Sequence, residues 1–298
     1  MTLVDKLITS AEKTKSILCF GLDPVLEKMP PYFKHPRDIT TFFNTIFHEM
    51  YHQNVQVGAF KPNEGYYLKH DQTINGTTIY DGSEILTAII KSIKQFKDTP
   101  IILDIKRGDT TTSSTNYAEH SKKKYSPDAV TVNPYMGTDS ITPFLPHGAY
   151  ILCRTSNLGA KDLQDLHFTD GDRIIPLYMK VAQLIAGWHD ISPGNVGAVI
   201  GANNPAELEL IAKYFKNTGK KIPLLIPGIG QQQGKTKEVT EKLKTIEYDL
   251  RIVRVNVSSG ISESWNTDKP EDYTKTIIKK IMQLNEEIGD ITSNHNTT

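Results

Sequence analysis

The fold of this chain is decided by residues 101–109, which read Ile-Ile-Leu-Asp-Ile-Lys-Arg-Gly-Asp. The stretch begins as a short apolar run between Pro100 and Gly108, a pattern that predicts a buried β-strand. Side chains alternate along a strand, so Asp104 and Lys106 are expected on one face and Ile105 on the other. A carboxylate and an ammonium group are unfavourable in a core unless they pair. The stretch therefore predicts either a structural ion pair or a functional site at the end of a strand.

Apolar runs like this one recur along the chain, and nearly all are followed by a predicted helix. Alternation of strand and helix is typical of parallel βαβ units, and strands buried on both faces are continuously apolar. Eight such units favour one α/β domain over residues 1–290, a (β/α)8 TIM barrel with an extra amino-terminal helix. A helix is predicted over residues 172–189, and residues 291–298 are expected to form a disordered polar tail. The other predicted strands cover residues 16–23, 55–61, 128–133, 149–154, 196–201, 222–227 and 252–256.

Composition excludes several classes of protein. Lys and Arg together number 34, as do Asp and Glu, so no strong overall field attracts nucleic acid or a membrane surface. No apolar stretch approaches the roughly 20 residues that a membrane span requires. The two cysteines, Cys19 and Cys153, both fall in predicted strands and suit a reducing compartment better than a disulfide framework. The expectation is a cytoplasmic protein with neither a nucleic-acid partner nor a membrane partner.

Polar and charged residues cluster where the predicted strands end. In a barrel of this type the active site lies at the carboxyl ends of the strands. Charged groups that converge there from three successive strands favour a functional cluster over isolated ion pairs. The residues at these ends are Asp23, Lys61, Asn63, Asp104, Lys106, Asp109, residues 155–157 (Thr-Ser-Asn), residues 228–234 (Gly-Ile-Gly-Gln-Gln-Gln-Gly) and Asn256.

The glycine-rich turn after the seventh strand leads into a helix. Barrels often bind phosphate at this place, through backbone N–H groups and the amino terminus of a helix. Glycine is also the commonest residue of an ordinary turn, so Gly228 and Gly230 alone are weak evidence. Their position supports a phosphate site, and an ordinary turn stays the alternative.

One motif indicates different chemistry. Residues 48–52, His-Glu-Met-Tyr-His, match H-E-x-x-H, which on a helix places two histidines on one face for zinc with the glutamate as base. The motif ends the first helix after strand one, and barrel helices run opposite to the strands. It is therefore expected at the amino-terminal face, away from the charged cluster, with Glu64 or His70 as possible third ligands. A zinc hydrolase is the least favoured alternative.

The segments at the ends of the predicted strands resemble those of the orotidine 5′-phosphate decarboxylase family. Residues 21–24 (Gly-Leu-Asp-Pro) and 155–157 (Thr-Ser-Asn) are similar to its mycobacterial-type branch. The matching segments span nearly the whole barrel in the family's order, and the D-x-K-x-x-D pattern from Asp104 to Asp109 is the most specific of them. The resemblance implies decarboxylation of orotidine 5′-monophosphate (OMP) to UMP without a metal or organic cofactor. The segments are residues 20–24 (Phe-Gly-Leu-Asp-Pro), 60–63 (Phe-Lys-Pro-Asn), 104–109 (Asp-Ile-Lys-Arg-Gly-Asp), 155–157 (Thr-Ser-Asn) and 227–230 (Pro-Gly-Ile-Gly).

The resemblance also implies a role for each matching residue. Lys61, Asp104, Lys106 and Asp109 form the catalytic charged array, in which Lys106 donates a proton to C6 of the pyrimidine. Asp109 reaches the site of a neighbouring subunit, so a homodimer is implied. The residues implied to bind substrate are Asp23 and Lys61 at the ribose, Asn63 beside them, Ser113, Ser156 at the pyrimidine, Gly228, Gly230 and Gln232 at the phosphate, and Asn256.

Two positions depart from the family pattern. Ser259 stands where an arginine normally grips the phosphate, which removes a charge-assisted, bidentate contact. Arg254, Lys235 or another cation is expected to substitute, or phosphate affinity is reduced. Thr110 stands where the family usually has Ile, and Ser113 where it has Thr, so the wall near the C6 substituent becomes more polar.

Two alternative functions remain open at this stage. A magnesium-dependent phosphosugar decarboxylase or aldolase of the same barrel superfamily keeps the D-x-K-x-x-D pattern, and a metal requirement would distinguish it. A barrel that binds the nucleotide without turnover is a second alternative, which Ser259 makes conceivable. The intact charged array argues against that alternative, and the segments at Phe60 and Thr155 argue for the nucleotide enzyme.

Overall fold

Eight parallel strands form the centre of the molecule in a computed structural model that describes residues 1–229 and 235–291. The strands are β1 (Leu18–Leu22), β2 (Ala59–Pro62), β3 (Ile102–Arg107), β4 (Ala129–Val132), β5 (Ala149–Arg154), β6 (Val196–Ile200), β7 (Leu224–Ile226) and β8 (Val253–Val257). Their spatial order is β2-β1-β8-β7-β6-β5-β4-β3. Parallel bridges from Phe60 to Ile101 and from Asn63 to Asp104 join β2 to β3, so the barrel is nearly closed. The predicted barrel is confirmed.

Helices surround the barrel and alternate with its strands. The longer ones are α1 (Leu3–Thr14), α2 (Asp38–His52), α3 (Gly82–Ile93), α4 (Thr111–Lys124), α5 (Leu177–Ile191), α6 (Pro205–Asn217), α7 (Lys235–Thr245) and α8 (Tyr273–Ile288). Short α-helical turns occupy Gly65–Leu68, Thr138–Ile141 and Ser259–Ser262. Short 3₁₀ turns occupy Leu26–Lys28, Pro134–Met136, Thr142–His147, Leu158–Asp162, Leu250–Ile252 and Pro270–Asp272. Over the described ranges, no helix combines the length and apolar character needed to cross a membrane.

Two antiparallel hairpins extend beyond the barrel, and the sequence pattern did not reveal either. Gln72–Ile74 pairs with Thr77–Tyr80, and His167–Asp170 pairs with Arg173–Pro176. The predicted helix over 172–189 is therefore wrong at its start, since α5 begins only at Leu177. Gly171 adopts φ 62° in the hairpin turn, and Ile174 is 74% exposed although its spacing matched the apolar face of a helix.

The first residue of the predicted carboxyl-terminal tail packs in the core. Ile291 was assigned to it, but this residue is only 5% exposed and packs in the main hydrophobic core. An isoleucine after a helix can still reach the core, so the polar composition of the last residues gave a boundary slightly too early. Residues 292–298 lie outside the described ranges, and the disordered tail stays a prediction for them.

The predicted extra amino-terminal helix is present as α1, and it covers the amino-terminal end of the barrel. A capping box between Thr2 and Asp5 fixes its first turn. Its apolar residues Leu3 and Leu7 pack against the side chains that fill the barrel interior. The amino-terminal half of the barrel interior is therefore a packed core, and the site forms at the carboxyl ends of the strands. The interior residues in this cluster are Cys19, Ala59, Ile102, Ala129, Tyr150, Leu152, Val199 and Leu225.

Arg254 connects α1 to the amino-terminal end of the barrel. Its side chain is fully buried, and Nε donates to the carbonyl of Gly58 at 2.8 Å while Nη2 donates to that of Leu7 at 2.7 Å. Nη1 donates to the carbonyls of Arg251 and Val253. Burial lowers the pKa of Arg254 to about 10, so the guanidinium stays protonated at neutral pH. The suggestion that Arg254 replaces the arginine missing at position 259 is wrong, because its side chain faces the opposite end of the barrel.

Arg254→Ala should lower the free energy of unfolding by about 3 kcal/mol or more, because buried carbonyls lose their donors and a cavity forms. Lys13→Ala on α1 is the control, since it removes a solvent-exposed ion pair to Asp98 and should change stability by less than about 1 kcal/mol. Urea unfolding measures both variants. Equal losses would contradict the structural role assigned to Arg254.

Candidate active site

Asp104 lies at the centre of the charged cluster. Its Oδ2 accepts a hydrogen bond from Lys61 Nζ at 2.8 Å, and its Oδ1 accepts one from Lys106 Nζ at 2.7 Å. The hydroxyl of Thr131 on β4 donates to Oδ1 at 2.7 Å, and Asp23 on the far side of Lys61 is 3.9 Å from that ammonium group. The pairing of Asp104 with Lys106 that strand alternation predicted is confirmed.

Burial and charge act in opposite directions on this cluster. Burial by itself would raise the pKa of Asp104, but the ammonium groups of Lys61 and Lys106 hold that pKa far below its ordinary value. Burial would likewise lower the pKa of Lys61, but Asp23 and Asp104 outweigh it and raise that pKa. Asp104 and Lys61 therefore both stay ionised around neutral pH. The side chain of Lys106 is 49% exposed and lines the cavity.

A local distortion of β3 directs Lys106 into the cavity. The register with β4 shifts between Leu103 and Arg107, and Lys106 adopts φ 44°, a left-handed conformation that is rare for a residue other than glycine. The backbone N–H groups of Ile105 and Lys106 both donate to Thr131 Oγ1, at 3.1 and 3.0 Å. Strain of this kind is common at functional sites. Thr131, which sequence reasoning missed, thus holds both the carboxylate and the distorted backbone.

A cavity of about 1010 Å³ opens above the charged cluster at the carboxyl ends of the strands. The structure brings eight of the predicted site residues into its lining, and Gly230 and Gln232 lie outside the described residues. Asp109 and Ser113 do not line it, since they lie at the start of α4, where the Asp109 carboxylate accepts from the N–H of Thr110 at 2.6 Å. The eight lining residues are Asp23, Lys61, Asn63, Asp104, Lys106, Ser156, Gly228 and Asn256.

Two buried oxygen atoms at the cavity have no hydrogen-bond donor within the described part of the chain. They are Asp23 Oδ1, which has only the longer charge contact to Lys61, and Asn256 Oδ1. Buried acceptors are normally satisfied, so these two indicate where a ligand could donate hydrogen bonds. Gly21 keeps this corner open, because a Cβ at that position would lie 1.9 Å from Ser258 Oγ and 3.2 Å from Asn256 Oδ1.

The ends of β7 and β8 form the side of the cavity where a phosphate was predicted. Gly228 has φ 92° and lies against Ser156, while Ser258 and Ser259 line the adjoining wall. Among the described residues, the cations in the lining are Lys61, Lys106 and Lys180, the last paired with Asp170 at 2.9 Å. Lys180 lies on α5, not in the turns after β7 and β8.

A side-chain network that sequence reasoning missed fixes the residues after β5. The amide of Gln164 accepts from the N–H of Thr155 at 2.9 Å and donates to its hydroxyl at 2.8 Å. Arg154, buried and paired with Glu207, donates to the same amide oxygen at 3.3 Å. On the other side, Asn203 Nδ2 donates to the carbonyl of Ser156 at 3.0 Å. Ser156 is thus positioned from two sides, a long-range arrangement with no signal in the local sequence.

The H-E-x-x-H segment lies apart from this cavity, at the end of α2 that leads into the amino-terminal end of β2. The carboxylate of Glu49 accepts from the side-chain amide of Gln53. Across residues 1–229 and 235–291, no group of three or more His, Cys, Asp or Glu side chains is arranged to hold a metal ion. Neither Glu64, which pairs with Arg107 at 2.6 Å, nor His70 completes such a site. The segment does not have the three-ligand arrangement of a zinc hydrolase.

Asp104→Asn tests the electrostatics of the cluster. At pH 7 it should lower the free energy of unfolding by about 3–5 kcal/mol, because buried Lys61 keeps only the more distant carboxylate of Asp23, 3.9 Å away. In the wild type the raised pKa of Lys61 contributes stability that persists up to its ordinary pKa, about 10.4, and is lost only above it. In the variant, Asp23 alone opposes the effect of burial, so the pKa of Lys61 should fall and the instability should shrink as the lysine deprotonates. Urea unfolding should show a smaller difference in free energy of unfolding between the wild type and the variant at pH 10 than at pH 7. An equal or larger difference at pH 10 would contradict the pairing of Lys61 with Asp104.

Comparisons with known proteins agree with the geometry. The model of the orotidine 5′-phosphate decarboxylase / HUMPS family matches residues 68–269. An orotidine 5′-phosphate decarboxylase of Cellvibrio japonicus is 38% identical over 262 residues, which cover 85% of this chain and 87% of that protein. One from a Janthinobacterium species is 38% identical over 250 residues, or 82% and 84% of the two chains.

A solved structure extends the similarity to three dimensions. The OMP decarboxylase of Leishmania donovani superposes with a TM-score of 0.70 at 27% identity, covering 96% of this chain and 99% of that one. The family model, which matches from residue 68 onward and so begins after β2, includes the strand of Asp104, Ser156 and Gly228. Sequence, fold and site therefore agree: the chain belongs to the orotidine 5′-phosphate decarboxylase / HUMPS family.

Proposed function

We propose that this protein decarboxylates OMP to UMP, a step of pyrimidine biosynthesis, with Lys106 as the proton donor to C6. The observation that carries the proposal is the Asp104 carboxylate held between Lys61 and Lys106 at the floor of the cavity. Family membership and similarity to curated decarboxylases over most of the chain support the reaction. The role of each residue rests on its geometry and on its match to the family pattern.

The chemistry requires a fixed positive charge beside C6. When the bond from C6 to the carboxylate breaks, its electron pair stays on C6, CO2 leaves, and the carbanion has no adjacent π-system that could delocalise the charge. A preorganised cation in a site shielded from water is an effective way to stabilise such charge. Lys106 Nζ supplies that cation and then transfers a proton to C6, after which the neutral amine is reprotonated from water. Asp104, which is itself held by Lys61, holds Lys106 in place.

Asp104 has a second effect on the bound substrate. The substrate carboxylate beside Lys106 also lies near the Asp104 carboxylate, a like-charge contact that is relieved as CO2 departs. The extent to which ground-state destabilisation speeds such reactions is disputed, so Lys106 carries the main role here. The pKa of Asp104 is held low by its two lysine partners, so the carboxylate remains charged during this step.

Contacts remote from C6 supply binding energy that is expressed in the transition state. Asp23, with its unsatisfied buried oxygen, accepts a hydrogen bond from a ribose hydroxyl, while Lys61 donates to the ribose and Asn63 lies beside them. Ser156 contacts the pyrimidine. The predicted phosphate contacts are Gly228, Gly230 and Gln232, and Asn256 is a further predicted substrate contact. Lys235 or another cation substitutes for the arginine absent at position 259.

We further propose a homodimer in which each subunit completes the other's site. Asp109, just before α4, and Ser113, in its first turn, lie outside the cavity of their own chain. That position suits side chains that act on a neighbouring subunit, as the family pattern implies for Asp109. A cytoplasmic location stays a prediction from the composition.

Turnover without a metal is the direct test. The absorbance loss of OMP should be rapid with EDTA-treated protein, and Lys106→Ala should slow it by at least about 10⁴-fold, because the stabilising charge and the proton donor are both lost. Lys213→Ala, which removes a surface lysine paired with Glu209, is the control, and its rate of OMP turnover should equal that of the wild type. A requirement for magnesium, or no turnover at saturating OMP, would instead support a phosphosugar enzyme or a binding protein.

Gln164→Ala should weaken substrate use by about 10- to 100-fold, because Thr155 and the adjoining Ser156 lose a fixed position. The change should appear in KM more than in kcat, since these residues face the base and not the reacting carbon. Gln164→Glu keeps an acceptor for the Thr155 N–H and should restore most of the loss. If both variants lose stability and activity equally, Gln164 has a structural role only.

Mixing two inactive variants tests the shared site. Lys106→Ala and Asp109→Ala should each abolish activity in pure form. When subunits exchange at equal amounts, half the dimers are mixed and one of their two sites is intact, so about a quarter of wild-type activity should return. Lys106→Ala mixed with Asp104→Asn is the control, since both changes lie in one chain's cavity and no site is restored. Failure to recover activity in the first mixture would contradict the proposed role of Asp109.

A further inference from the structure

The last turn of α2 carries two exposed histidines that the decarboxylase site does not use. His48 and His52 are separated by one helical turn, and both side chains face solvent. Their Nε2 atoms are 3.0 Å apart, and the ring centroids are 4.2 Å apart at an interplanar angle of 59°. Two nitrogen atoms this close either share one hydrogen in a direct hydrogen bond or direct both lone pairs at one point.

The separation of the two nitrogen atoms fits right-angled metal coordination better than tetrahedral coordination. With metal–nitrogen bonds of about 2.0–2.1 Å, two atoms 3.0 Å apart subtend about 91–97° at the metal. A tetrahedral site would need about 3.3–3.4 Å between the same atoms. Right-angled cis positions are typical of tetragonal Cu²⁺ and Ni²⁺ sites built from nitrogen and oxygen ligands. The pair therefore suits these ions better than tetrahedral zinc.

The electrostatic setting also favours a cation here. His52 is the last residue of α2, where the helix dipole presents its negative end and the terminal carbonyls. The carboxylate of Glu49 lies on the same turn, held by the side-chain amide of Gln53. Lys275 of α8 is close enough to sense Glu49, but its ammonium group is already paired with Asp272 at 2.8 Å. A bound dication would thus meet net negative potential along the helix end.

We propose that His48 and His52 form a surface binding site for a tetragonal divalent transition-metal ion, Cu²⁺ above Ni²⁺. Each Nε2 contributes its lone pair, the ring hydrogen resides on Nδ1, and no redox change occurs. In the described ranges no third His, Cys, Asp or Glu completes the site, so water fills the remaining positions. The site lies at the amino-terminal side of the barrel and is independent of the decarboxylase proposal.

Titration of the purified chain with CuCl2 tests the site, followed by electron paramagnetic resonance and calorimetry in a buffer that does not bind metal. The wild type should bind one Cu²⁺ with the signature of two equatorial nitrogens, and Ni²⁺ more weakly. His48→Ala and His52→Ala should each weaken Cu²⁺ binding by roughly 10-fold or more, because the second ligand no longer acts within the same molecule. His120→Ala is the control: it removes an exposed histidine on α4 that has no histidine four residues away, and binding should be unchanged.

Circular dichroism verifies that the variants fold, which is expected because both side chains lie outside the core. Equal Cu²⁺ affinity in the wild type and both variants would overturn the proposal. A one-nitrogen signature in the wild type would do so as well, since it would leave the 3.0 Å contact as a hydrogen bond between the two rings. Loss of Cu²⁺ binding in both variants with retention in the control supports it.

Discussion

The carboxylate of Asp104 between Lys61 and Lys106 is the interaction on which the rest of the site depends. It is nearly buried, and a buried carboxylate is stable only when its partners are in place. Three neighbouring strands supply those partners, since Lys61 lies on β2 and Thr131 on β4. Closure of the barrel between β2 and β3 therefore determines whether the charges meet. Fold and chemistry are coupled at this one residue.

The two ends of the barrel are specialised differently. At the amino-terminal end, α1 and the buried guanidinium of Arg254 fill the interior and satisfy backbone carbonyls. At the carboxyl end, the interior side chains become polar and the cavity opens. The stable amino-terminal half allows strain above it, of which the left-handed backbone at Lys106 is the clearest example. Arg254 and Lys106 are both cations in barrel strands, but one stabilises the fold and the other faces the substrate cavity.

The sequence predicted the barrel because apolar runs and helical spacing are short-range patterns. It also placed Lys61, Asp104 and Lys106 at neighbouring strand ends, and the family resemblance implied the charged array. Strand alternation placed Asp104 and Lys106 on one face, but it did not predict the distortion of β3 that directs Lys106 into the cavity. Contacts between distant residues escaped it: the Gln164 amide on Thr155, the Thr131 hydroxyl on Asp104, and the direction in which Arg254 points. The exposed Ile174 misled the helix prediction, because periodicity cannot distinguish a hairpin from a helix over a few residues.

Exchange of the C6 hydrogen of UMP in D2O tests the central claim most directly, because protonation of C6 by Lys106 must also run in reverse. The account predicts that the wild type slowly incorporates deuterium at C6 of bound UMP. It also predicts that Lys106→Ala, at concentrations saturating for UMP, does so no faster than the uncatalysed solution. Exchange at the wild-type rate in Lys106→Ala would contradict the account, since another group would then be moving the proton.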